Sequence, residues 1–188
     1  MKRLAVYFLP LLLLVSFFAC NNEKKEELVE EKRIFEGFHP LMDKIVRSKK
    51  GVFRGLELNA KIADIKTTET VQPVEAEKDR LYFEYVADST TTYSIDYTIH
   101  NDSLEEINVQ INCTDLELSS YLFCDLKDYY ANKLPNPIED QGAVVYNCYE
   151  GQRKPFVVTL SDNSTPSKGI INMAVSYTHL TLPTNREV

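Results

Sequence analysis

Glycine and proline are scarce, 6 and 8 in 188 residues, which excludes collagen-like and low-complexity architectures. Cations are outnumbered: 21 Lys and Arg against 28 Asp and Glu leave a formal charge of −7. A chain repelled by phosphate forgoes the main source of nucleic-acid affinity, so no nucleic-acid partner is expected. Histidine is rarer still. Neither His39 nor His100 stands at a metal-ligand spacing from another His or a Cys, so no metal is expected. There is no Gly-rich phosphate loop and no recognisable nucleophile–base motif, so neither a cofactor nor catalysis is expected. Tryptophan is absent. What remains, 44% hydrophobic, 26% charged and 11% aromatic residues, is enough to bury the core of one domain and too apolar for a disordered chain.

Both ends read differently from the middle. Lys2 and Arg3 precede an apolar stretch of 16 residues, 4–19, that contains Pro10 and Ser16. That is short of the roughly 18 residues of a membrane span and suits a secretory signal peptide. The stretch closes on Val15-Ser16-Phe17-Phe18-Ala19-Cys20, which resembles the bacterial lipobox, in the looser form of Bacteroidetes envelope lipoproteins. The resemblance implies cleavage before Cys20, which then becomes the acylated (palmitate-bearing) mature N-terminus and holds the protein at the membrane. Cleavage takes 188 residues to 169 and the charge from −7 to −9. Residues 20–33 follow as a charged tether. Within it, Lys24-Lys25-Glu26-Glu27 resembles the signals that send some Bacteroidetes lipoproteins to the cell surface. At the other end, residues 176–188, from Ser176-Tyr177-Thr178-His179 to Asn185-Arg186-Glu187-Val188, resemble a translated sequencing adapter. They are set aside as a non-native tail, leaving 34–175 as the domain.

Periodicity predicts the elements of that domain. Pro40 followed by Leu41, Met42, Ile45 and Val46 marks a helix closed by Lys49-Lys50-Gly51. A strand is expected over 52–58, and a second helix over 60–68 after Asn59, a residue that tolerates the left-handed region. Three alternations follow: Leu81/Phe83/Tyr85, Tyr93/Ile95/Tyr97/Ile99 and Ile107/Val109/Ile111/Cys113, each against polar partners. Such period-two patterns with one wet face read as an antiparallel meander. A helix is expected over 118–134, stopped by Pro135, then strands over 144–149, 156–160 and 170–175. The fold class is α+β: an antiparallel sheet with helices packed on one face, in which helix plus three strands occurs twice, as in a duplication. The segment Leu58-Asn59-Ala60-Lys61-Ile62-Ala63-Asp64-Ile65 resembles the strand–turn–helix openings of small envelope lipoproteins of the BamE and β-lactamase-inhibitor-protein folds.

Candidate sites are few. Cys20 is the lipidation site. An oxidising envelope permits one disulfide among Cys113, Cys124 and Cys148, and spacing does not choose between a pair and buried thiols. Asp88-Ser89-Thr90 and Asp102-Ser103-Leu104 resemble the O-glycosylation signal of Bacteroidetes. They place Ser89 and Ser103 as acceptors at hairpin turns, where Asp and Ser also serve ordinary turn chemistry. Tyr93 and Tyr97 on one strand, with Tyr82 and Tyr85 nearby, suggest a stacking platform; Tyr is also a good strand former with its hydroxyl at a sheet rim. Asp125/Asp128 and Glu105-Glu106 read as solvated carboxylates.

Together these features describe a lipid-anchored, non-enzymatic cell-envelope protein, with the outer membrane as the expected location, that binds or supports an envelope protein or glycan. A glycan- or peptide-binding module using Tyr82, Tyr85, Tyr93 and Tyr97, and a hydrolase completed by residues beyond the C-terminus, are the alternatives.

Overall fold

The computed structural model describes residues 33–134, 136–148 and 155–178. The signal peptide, Cys20 and nearly all of the tether therefore lie outside the described residues, as does most of the adapter-like segment. Eight strands, β1 (Glu75–Ala76), β2 (Arg80–Val86), β3 (Thr91–His100), β4 (Ser103–Cys113), β5 (Ile138–Asp140), β6 (Ala143–Cys148), β7 (Phe156–Asp162) and β8 (Gly169–Tyr177), form one sheet in the order β1-β2-β3-β4-β8-β7-β6-β5. Every pairing is antiparallel. Among the described residues three helices accompany it: α1 (Leu41–Ile45), α2 (Ile62–Thr68) and α3 (Leu116–Lys133).

The predicted alternations became strands because each has one face to bury. Directly paired residues share a face, so Phe83, Ile95, Val109, Met173, Leu160 and Val144 make one apolar row across six strands. Leu81, Tyr97, Ile107, Val175, Val158 and Tyr146 make the next. All twelve are buried, in one cluster with Leu41, Ile45, Ile65, Leu122, Leu126 and Tyr130 of the helices. The ten aliphatic, Met and Phe side chains among the twelve, at about 1.5–3 kcal/mol each when fully buried, make this face a large source of folding energy.

Helix plus strands does occur twice, with a fourth strand in each half: α2 then β1–β4, and α3 then β5–β8, joined where β4 meets β8. The extra strands β1 and β5 are the sheet's short edges and are exposed at every position. Blunt edges of this kind give another chain little to pair with.

Local departures have local causes. Helix α1 ends at Ile45, six residues before Gly51, because Arg47 turns left-handed at φ 60°. The expected strand over 52–58 is instead a tight loop in which Val52 N and Phe53 N both donate to Leu56 O, and Leu56 N donates to Phe53 O. It needs Gly51, where a Cβ would stand 2.4 Å from Leu56 O. Asn59 adopts the left-handed region at φ 77°. Helix α3 is capped by Asp115, whose carboxylate accepts from Glu117 N and Leu118 N at 2.9 and 3.2 Å. Its far end holds the 48–52 loop: Tyr130 donates to Val52 O at 3.1 Å, and Lys133 donates to Gly51 O. Strand β8 runs on to Tyr177, so Ser176 and Tyr177, assigned above to the tail, pair with Glu106 and Phe156 and continue the alternation.

Candidate functional site

The four tyrosines of the expected platform do not share a surface. Successive strand residues face opposite ways, so Tyr85, Tyr93 and Tyr97 point to the core side and Tyr82 to the other. Tyr97 and Tyr93 are buried, at 0% and 5% exposure, and Tyr85 is half-buried. Tyr85 and Tyr93 do stack, with ring centroids 4.8 Å apart and planes 8° from parallel, but against each other and over a cation.

That cation is Arg54, in the left-handed region at φ 53° and buried at 3% exposure. Its guanidinium carbon lies 4.7 Å from the Tyr85 ring centroid and 5.3 Å from that of Tyr93. It donates to Ile45 O at 2.9 Å, Lys44 O at 3.0 Å, Tyr93 Oη at 2.6 Å and the Glu69 carboxylate. Glu69, where α2 ends, is 6% exposed and also accepts from the hydroxyls of Tyr85 and Tyr97. Arg47 stands 3.7 Å away, and Tyr93 passes its proton donation on to Lys44 O at 3.1 Å. Burial, the largest influence, would on its own lower the Arg54 pKa, but the Glu69 carboxylate and the Tyr93, Tyr97 and Tyr85 phenols together outweigh it and hold the guanidinium charged. Burial and the same carboxylate push Tyr85 up to about 12 and Tyr97 well above its usual value; burial raises Tyr93 too.

This cluster has the composition of an active site without its openness. A catalytic or binding group needs capacity left for a substrate. Here the guanidinium and the carboxylate spend theirs on each other, on three phenols and on the backbone of α1. Its chemistry is that of a lock: it ties α1, the 52–56 loop and the end of α2 to β2 and β3. Sequence reasoning missed both charged partners. The signal was there, a single Arg inside Val52-Phe53-Arg54-Gly55-Leu56, but its partner is 15 residues away and only the fold joins them.

The opposite face of the same strands is the reverse case. Register places Glu84, Ser94, Gln110, Asn172, Ser161 and Ala143 in one cross-strand row. Tyr82, Asp96, Asn108, Ala174, Thr159 and Val145 form the adjacent row. None of these twelve is buried. Ala174 is the small residue of its row, and the side chains around it enclose a groove of about 310 Å³. At one end Arg80 grips Asp96 in a bidentate pair at 2.7–3.0 Å and also reaches Glu75. Bonds within the face are local: Gln110 to Asn112 and Asn108 to Glu106, both at 3.1 Å, and Tyr82 to Glu84 at 3.0 Å.

The other candidates are dispersed. Ser89 is exposed in the β2–β3 turn, where Asp88 accepts from Thr90 N at 2.8 Å and Thr90 Oγ1 at 2.9 Å. Ser103 opens β4 after the left-handed Asn101 and Asp102, and Lys61 Nζ lies 3.0 Å from its hydroxyl. Cys113 is buried, with burial pushing its thiol up; Cys124 is exposed and Cys148 half-buried. Asp125 does more than face solvent: it accepts from His39 N at 2.7 Å, while His39 Nδ1 accepts from Leu41 N at 3.3 Å. Among the described residues no helix is long and apolar enough to cross a membrane. Compared with known proteins, the chain matches no family model, no curated protein and no solved structure.

Proposed function

We propose that this chain is a non-enzymatic, lipid-anchored protein of the cell envelope, acylated at Cys20, tethered through residues 20–33, and holding another envelope component on the open polar face of its sheet. In this reading the helices cover the apolar face and leave the polar one for the partner. The observation that carries it is the pair of cross-strand rows through Gln110 and Asn108, which present amides and hydroxyls in the middle of a wide sheet. Of the twelve residues in those rows Glu84 and Asp96 are charged, below the roughly 25–35% usual for a solubilising surface. The lipobox-like ending at Cys20 supports the anchor, and the resemblance to a glycosylation signal supports sugar on Ser89 and Ser103.

Two measurements test it in a Gram-negative host. Metabolic labelling with an alkyne fatty acid should mark the full chain and spare Cys20→Ser, which should leave the membrane fraction; labelling of both would contradict the anchor. A photo-reactive residue at Gln110 should cross-link to an envelope component, whereas one at Lys66, an exposed position on α2, should not. Equal yields from both positions, or none from Gln110, would contradict use of the face.

A further inference from the structure

The chemistry of the open face narrows what it can hold. Backbone hydrogen bonding is already spent there: β3, β4, β8 and β7 are each paired on both sides, so no extended peptide can add as a strand at the groove. Recognition falls to side chains alone. Those side chains are neutral, with Asn108, Gln110 and Asn172 offering both donors and acceptors and Thr159 and Ser161 offering hydroxyls. Among the described residues the charge in the lining is the Asp96 carboxylate, which Arg80 already neutralises; Glu84 and Glu106 accept from the lining residues Tyr82 and Asn108, and their charge repels anions.

We propose that the groove around Ala174, between Tyr82 and Ser161, binds an uncharged saccharide. This rests on the reading of the open face as the binding surface and deepens it. Three features fit a neutral carbohydrate. Its hydroxyls are both donors and acceptors, matching amide side chains that are the same. Its lack of charge suits a groove whose lining, among the described residues, holds no cation and has carboxylates beside it. A cavity of about 310 Å³ lies at the small end of ligand sites, which run from roughly 300 to 1,000 Å³, so one or two sugar units would sit in it and the rest of a chain would run along the sheet.

The test uses the full chain in a polyoxyethylene detergent, since alkyl glycosides would compete. Isothermal titration with gluco-, manno-, xylo- and galacto-oligosaccharides is set beside titration with oligogalacturonate as the anionic counterpart. At least one neutral oligosaccharide should bind, and oligogalacturonate should bind more weakly or not at all. Asn108→Thr/Asn172→Thr keeps strand propensity and removes two amides, and should weaken binding roughly tenfold, as loss of two hydrogen bonds implies. A variant with an unchanged urea midpoint confirms that the loss is not one of folding. Absence of binding by all the neutral oligosaccharides, tighter binding of oligogalacturonate, or affinity unchanged in the double variant would overturn the proposal. If saccharides fail while Gln110 still cross-links to an envelope protein, the saccharide falls and the open-face reading stands; if both fail, both readings fall.

Discussion

Strands β2 and β3 carry two polar clusters on their two sides, and the two differ in what they have left to give. On the core side, Tyr85, Tyr93 and Tyr97 direct their hydroxyls into the Arg54–Glu69 pair, and the pair consumes them. On the open side, past the Arg80–Asp96 ion pair, Tyr82 and Ser94 lead into rows of neutral groups whose hydrogen bonds run to near neighbours. Aromatic and charged residues ordinarily attract attention as functional. Here they are the structural part, and the unremarked amides are the part with capacity for a partner. Saturation, more than residue type, separates the two.

Substitutions should divide along the same line. The largest loss of stability is expected from Glu69→Ala, which leaves the Arg54 guanidinium buried without its counter-charge. Breaking a buried pair from one side costs about 3–5 kcal/mol, a large share of the 5–15 kcal/mol typical of a domain. Urea unfolding would measure it, and Arg54→Met/Glu69→Leu should recover much of the loss because it removes both charges together. Tyr97→Phe comes next: it deletes one hydrogen bond to a carboxylate, for about 1.5–3 kcal/mol, and should leave partner binding unchanged. If it abolished binding at full stability, the lock would be part of a site after all.

A pH effect of smaller reach sharpens the contrast. Tyr85 ionises near 12 in the fold, against 10.0 when unperturbed, through burial and then Glu69. A group whose pKa is raised on folding gives its full stabilisation below the unfolded value and loses it as pH climbs through the folded one. Stability should therefore hold up to about pH 10 and fall between 10 and 12, with phenolate absorbance at 295 nm lagging behind that of free tyrosine. Phenolate absorbance rising as in free tyrosine, with stability intact, would contradict the placement of Tyr85 against Glu69.

Much of this was legible beforehand, and the rest was hidden for identifiable reasons. Period-two alternation marked the long inner strands because each has one face to bury, and the spacing of Leu122, Leu126 and Tyr130, with Pro135 as a stop, marked α3. Edge strands β1 and β5 bury nothing and so leave no period to read. The 52–58 run looked like a strand because its apolar residues are core, yet Arg54 and Gly55, at φ 53° and 84°, turn it into a loop. Parity already set Tyr82 against Tyr85, so the divided platform was readable in principle. Joining Arg54 to Glu69 was not, because that contact exists only once β2 and β3 lie beneath it.

The open face does not hold the fold together. The urea-unfolding free energy of Asn108→Thr/Gln110→Thr/Asn172→Thr tests this most directly. These positions are solvent-facing, where substitutions usually stay within about 0.5 kcal/mol each, and Thr is a good strand former. The value should lie within about 1.5 kcal/mol of that of the unsubstituted chain, or above it. A loss of more than about 3 kcal/mol, matching that of Glu69→Ala, would show that the amides are structural and would contradict the claim.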